Sequence, residues 1–146
     1  MGTIRGVASQ APQLLAQCDR GALGQGITAN TFTQIAPLPA AQVNKGAILN
    51  APTGVFTPAL SGYYRISGTI FSTTVVGAAS TFGYLYQGST ALRNLCSDAA
   101  PVGAAVVMNF SNVAFLSAGA AYHLRFLSTV GNTITEMQLA IEYVSP

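Results

Sequence analysis

Of the 146 residues, 7% are charged and 50% hydrophobic, against roughly 25% charged in an ordinary soluble domain. The length fits one domain with a full core. The net charge of +2 comes from six scattered basic residues, so no Lys or Arg stripe exists to neutralise phosphates, and nucleic acid is excluded as a partner.

The first 26 residues form a glycine-broken arm: Gly2, Gly6, Gly21, Gly24 and Gly26 interrupt the backbone. The arm opens Met-Gly-Thr-Ile-Arg-Gly, which lacks a basic region followed by an apolar run and so reads as no secretory signal. Gly6 stands where a myristoylation pattern wants Ser or Thr. One helix is expected in the arm, capped by Ser9, with Pro12 in its first turn and Gly21 as its stop. Leu14 and Leu15 would be its apolar side, and they are the candidate partner-binding residues of an arm that docks on a neighbouring subunit. Cys18 and Cys96 are the only cysteines; two reduced, packed thiols are expected, with a disulfide between them as the alternative.

From Ile27 onward the hydrophobic period becomes two, the signature of strands. Tyr64, Ile66, Gly68 and Ile70 share one face, and Tyr63, Arg65, Ser67, Thr69 and Phe71 share the other. Phe82, Tyr84 and Tyr86 line one side of the next run. Tyr122, Leu124 and Phe126 oppose His123, Arg125 and Leu127. The last run sets Met137, Leu139, Ile141 and Tyr143 against Glu136, Gln138, Ala140 and Glu142. Turns fall at Gly88-Ser89, Gly103, Ala118-Gly119 and Gly131-Asn132. Such a run of strands is an all-β antiparallel sandwich or barrel, with residues 27–146 as its domain and 1–26 as the arm.

No charge occurs between Arg65 and Arg93, nor between Asp98 and His123. A lone soluble domain needs surface charge to stay dispersed, so other subunits are expected to cover much of this surface. The apolar stretch from Ala99 to Tyr122 is long enough for a membrane helix spanning about 30 Å. It holds Pro101, Asn109 and Asn112, alternates in strand fashion through Val106, Met108 and Phe110, and has no basic flank. No membrane segment is expected.

The segment Asn50 to Gly68, through Thr53, Gly54, Phe56, Thr57, Gly62, Tyr63 and Tyr64, resembles the signature of the globular heads of complement's first component, kin of the tumour necrosis factor jelly roll. Phe115-Leu116 to Leu124 and the closing Leu139 to Val144 are similar to later segments of that family, in the same order. The resemblance runs from about Ile27 to Val144. It implies a jelly roll of about ten strands that associates as a homotrimer, with Tyr63, Tyr84 and Tyr122 as candidate trimer-interface residues. Pro58 sits one place early, and neither a collagen-like stem nor a signal peptide is present, which argues against a secreted animal member. Small jelly rolls of this kind are frequent in bacteriophages, and the composition, with one Lys and no Trp, fits a virion part.

Chemistry finds little support. His123 is the only histidine, no Gly-x-Ser-x-Gly elbow occurs, and a lone histidine on an outer strand face is an exposed or interface side chain. Glu136 and Glu142 lie six apart on one strand, about 20 Å, too far to act as a glycosidase pair. Cys18, Cys96 and His123 make no zinc spacing. Asp98 alone cannot make the carboxylate-rich calcium loop that some relatives carry. No catalytic residue, metal or cofactor is assigned. The expected role is a trimeric capsid decoration, cement or head-fibre protein that binds the major capsid protein or another virion protein. Its location would be the virion. The alternative is the receptor-binding tip of a tail fibre or spike, with Tyr63, Tyr84, Tyr86 and Tyr122 as platforms for a host glycan.

Overall fold

The computed structural model describes residues 11–74 and 77–146. Eleven strands follow in chain order: β1 (Gln13–Ile27), β2 (Thr33–Gln34), β3 (Ala41–Asn44), β4 (Leu49–Asn50), β5 (Val55–Phe56), β6 (Gly62–Thr74), β7 (Ala79–Gln87), β8 (Thr90–Ala100), β9 (Ala105–Leu116), β10 (Tyr122–Ser128) and β11 (Asn132–Ser145). One sheet runs β3-β1-β11-β6-β9; the other runs β4-β5-β10-β7-β8, with β2 also on β10. Every pairing is antiparallel. From β6 onward the long strands pass repeatedly between the sheets, giving the two-layer jelly roll.

The alternating sequence pattern decides which side of each strand is dry. Ile66 pairs with Ile141 across β6 and β11, and Tyr64 with Tyr143; Ile66 and Ile141 are fully buried. From the opposite sheet, Leu124, Phe126 and Leu85 close the core at 2% exposure or less. In β7 the dry row is Thr81, Gly83 and Leu85, and the aromatic row faces outward. Gly83 lets Cys96 pack closely there: a Cβ would stand 2.7 Å from Cys96 Sγ and would force that side chain to move. The familiar loop after Asn50 is a tight turn in which Gly54 N–H donates to the Asn50 carbonyl at 2.8 Å. Gly54 has φ +68°, and its Cβ would collide with the Ile35 carbonyl, so only glycine fits.

The arm differs from expectation. Its described part is not a helix: Gln13–Ile27 is the long strand β1, paired with β11 from Gln13↔Tyr143 to Ile27↔Asn132 and with β3 beside it. Leu14 and Leu15, expected to share one helical side, are consecutive half-buried residues of this strand with Leu15 packed on the core, while the buried row runs through Ala16 and Cys18. Irregular pairing between Cys18 and Gly21 and between Ala22 and Gln25 lets a glycine-rich sequence follow β11, because bulges absorb the broken period. Ser9, the expected cap, lies outside the described residues with the rest of residues 1–10. No helix among the described residues is long and apolar enough to cross a membrane; Ala105–Leu116, inside the apolar stretch, is strand β9.

Candidate interaction surface

The outer face of the β1-β11-β6-β9 sheet carries Asp19 and two Arg–Glu pairs whose charges neutralise each other. In its middle, a groove of about 530 Å³ crosses four strands, lined by Gln17, Asp19, Ser67, Asn109, Gln138 and Ala140. Small side chains on β6 and β11 make its depth: Ser67 faces Ala140 across the pair. Asp19 is its single charge. An ion pair bounds each end. Arg65 binds Glu142 at 3.1 Å. Arg20 binds Glu136 and lies over the Phe71 ring, 4.2 Å from its centre. Both pairs are largely solvated, so they contribute about 0–1 kcal/mol each. Their larger effect is to remove free charge from the face.

Beside the groove, apolar side chains stand in water. Of seven large hydrophobic residues exposed among the described ones, five lie on β8, β9 or the turn joining them: Leu92, Val102, Val107, Val113 and Phe115. Tyr63, on β6, packs edge to face on Phe115 with centroids 5.4 Å apart. β8 and β9 are also the edge strands of their sheets. Side chains tie the two edges together, Arg93 donating to the Val113 carbonyl and Asn112 to the Leu95 carbonyl, and the apolar side chains exposed along them are a surface suited to association.

The sequence-predicted residues divide. Tyr63 is 46% exposed on the outer face of β6. Tyr84 is half-buried on the opposite sheet, where Phe32 meets it edge to face at 5.3 Å. Tyr122 is 2% exposed and stacks on Phe56 at 5.8 Å. Its hydroxyl accepts the Ser117 N–H at 2.9 Å. It belongs to the core of its own protomer and cannot line an interface or a sugar platform, because β10 turns it inward with Leu124 and Phe126. Leu14 and Leu15 open β1 rather than standing on a free arm; Leu14 is half-buried opposite Glu142.

His123 does point to the outer face, but it is 6% exposed. Its ring stacks on Tyr86 at 5.8 Å, Arg125 covers Tyr86 at 4.4 Å, and Arg125 Nε–H donates to His123 Nε2 at 3.0 Å. Burial first, and the Arg125 charge second, hold the imidazole below its ordinary pKa of 6.5. An Nε2 that accepts a hydrogen bond belongs to neutral imidazole with its proton on Nδ1. The cluster Phe32, Tyr84, Tyr86, His123 and Arg125 was not legible, because β2 brings Phe32 to it from far along the chain. Cys18, on β1, and Cys96, on β8, are free thiols in opposite sheets; burial pushes the Cys96 thiol up to about 11. No group of three or more His, Cys, Asp or Glu able to hold a metal occurs among the described residues.

No protein-family model matches the sequence, and no curated protein matches it. In structure the chain is similar to the Eiger tumour necrosis factor of S. frugiperda, at 13% identity over 91% of this chain and 94% of that one, TM-score 0.62. It is similar to the globular domain of zebrafish complement 1qA at 11% identity over 90% of this chain and 95% of that one, TM-score 0.60. A chain of the Gx strain of infectious bursal disease virus superposes on 99% of this chain, which spans 37% of the viral one, at 13% identity and TM-score 0.54. At these identities the likeness establishes the fold: a jelly roll of the tumour necrosis factor and complement-head type.

Proposed function

We propose that this protein is a structural component of a bacteriophage virion, a homotrimer that binds the capsid shell as a decoration, cement or head-fibre protein. The observation that carries the reading is the pairing of two unlike surfaces on one protomer: an apolar β8–β9 edge and, on the outer face of the sheet that β9 closes, a groove with a single charge. An edge that packs on a different surface of the next copy makes a heterologous contact, and such contacts form a ring when the rotation closes. The resemblance to the complement-head family argues for closure at three. The low charge fits a surface consumed by neighbours, and a virus particle stands among the chains of similar fold. With both glutamates in ion pairs and His123 tied to Arg125 and Tyr86, the role is binding rather than catalysis.

Light scattering on the size-exclusion peak, followed by co-sedimentation with empty shells of the parent virus, tests the reading. A trimer that pellets with shells supports it; a monomer at all concentrations sinks it. Deleting residues 1–10 tests the arm, since β1 begins at Gln13 and a deletion to residue 26 would remove a central strand. Loss of shell binding with the trimer intact is the expected result. A second reading, the receptor-binding tip of a tail fibre or spike, draws on the half-exposed Tyr84 and Phe32 beside Arg125. A trimer that ignores shells and binds host cells or glycans would select it.

A further inference from the structure

At the pole where β1 begins and β11 ends, the sandwich stays open. A cavity of about 230 Å³ lies there, walled by Leu15, Ile48, Leu60, Tyr64 and Tyr143, with Lys45 also lining it. Its back wall is fixed: Tyr64 and Tyr143 pack edge to face at 5.2 Å. The Tyr64 hydroxyl donates to the Leu60 carbonyl at 2.7 Å, so its polar end is already satisfied and the wall is apolar. Leu60 is 61% exposed. The volume falls below the roughly 300–1,000 Å³ of small-molecule pockets, yet is several times the ~30 Å³ share of one liquid water. That is the size of a seat for one large side chain.

Charge is unevenly placed around this seat. Lys45 has no ion-pair partner among the described residues. Arg65, Arg93 and Arg125 lie in the half of the sandwich nearest this pole, and Arg125 reaches the Gly88 carbonyl in the β7–β8 turn. Glu142 is the one acid in that half and is already paired with Arg65. Asp98 and Glu136 lie toward the other pole, and Asp19 lies near the middle.

We infer that this pole docks an acidic protein segment, which seats one bulky apolar side chain in the cavity beside Lys45. The inference rests on the virion reading and supplies the surface by which the shell would be held. A preformed apolar seat with one exposed lysine at its rim, in the basic half of the sandwich, has the form of an anchor site, where one buried side chain carries most of the binding and nearby charges set orientation and partner choice.

The test is a two-dimensional NMR titration of the intact protein with capped peptides. The first probe is acetyl-Asp-Glu-Leu-Asp-Glu-amide; in two controls, Ala replaces Leu or Lys replaces every acid. The leucine peptide is expected to shift the Gly46 and Leu60 amide resonances, with both controls at least about tenfold weaker. Lys45→Glu and, separately, Leu60→Asp should each weaken it about tenfold; both sites are solvent-exposed, so both variants should fold. No shift with the leucine peptide, equal binding of the basic peptide, or indifference to both substitutions would overturn the inference. So would hexanoate matching the peptide, since the ligand would then be a small amphiphile. Binding that appears only after deletion of residues 1–10 would also overturn it, because the chain's own segment would fill the seat. Shells separate the two ideas. A Lys45→Glu trimer that binds shells like wild type defeats the pole and spares the virion reading. Wild type that binds the peptide but never shells does the reverse.

Discussion

Tyr63 and Phe115 face each other across β6 and β9 with ring centroids 5.4 Å apart, and each remains about half in water, at 46% and 53% exposure. Aromatic side chains bury about 150–250 Å² each when fully covered. The protomer therefore leaves a large apolar gain unrealised at this pair. Val113, two residues before Phe115 on the same strand face, is exposed as well, so the pair belongs to an apolar patch at this end of β9.

Phe115→Ser should separate association from folding. An exposed position costs the protomer within about 0.5 kcal/mol, whereas loss of a central anchor costs an interface about 2 kcal/mol or more per site. In a dilution series followed by light scattering, the variant should fall to monomer at concentrations where wild type keeps the proposed trimer. Trimers that survive dilution equally well would move the interface away from β9.

Ile141→Asp tests the assignment of faces. Ile141 is fully buried and pairs with Ile66, so an aspartate there has neither water nor a cationic partner. The cost should be several kcal/mol, enough to unfold a marginal domain. Its neighbour makes the control. Glu142→Gln breaks only the solvated pair with Arg65 and should cost about 1 kcal/mol or less. Urea denaturation of the two variants would refute the sandwich if Ile141→Asp proved the milder.

The contrast between those neighbours shows why most of the fold was legible. Period two assigns the middle of β6, the start of β10 and residues 137–143 of β11 to faces, and burial follows that assignment through Tyr64, Ile66, Leu124, Phe126 and Ile141. Reading failed where the period was broken or the decisive contact was distant. In β1, glycines and bulges erase the alternation, and Leu14-Leu15 looks helical; pairing with β11, more than a hundred residues away, settles it as strand. Tyr122 was misplaced because an aromatic residue at the start of a strand fits an interface as well as a core, and only Phe56 stacked upon it decides. The cavity beside Lys45 joins β1, the turn before β4, the β5–β6 loop and β11, a meeting that no local pattern encodes.

His123 gives the fold an acid sensitivity of known sign. The unfolded imidazole takes up a proton near its ordinary pKa of 6.5, while the folded one is held lower by burial and then by Arg125. Below that pH the unfolded chain binds the proton first, so its uptake favours unfolding. Stability should be complete above pH 6.5, fall as pH drops through the interval down to the folded pKa, and then level off for this group. Melting temperatures measured from pH 7.5 down to about 5, above the ordinary carboxylate range, isolate the effect. His123→Gln should flatten the profile. An unchanged slope in that variant would place the sensitivity elsewhere.

Gly68 tests how closely the sheet is fitted beneath the groove. It pairs with Leu139 on one side and Phe110 on the other, and its inward direction is already occupied. A Cβ would run into the Gln138 carbonyl and come within 2.9 Å of Phe110 Cζ. The ring can turn, but a backbone carbonyl held in a sheet ladder cannot move without pulling its strand. Gly68→Ala should therefore destabilise the domain by about 1–3 kcal/mol, the cost of overpacking. That exceeds any gain from a stiffer unfolded chain, which is about 0.4–1 kcal/mol. The midpoint of urea unfolding should fall with its slope unchanged. Because Gly68 also lines the groove, a displaced β6–β11 pair should weaken the proposed trimer as well. A variant as stable as wild type, with an unaltered trimer, would mean that the two strands slide apart freely and that the groove is not a fixed surface.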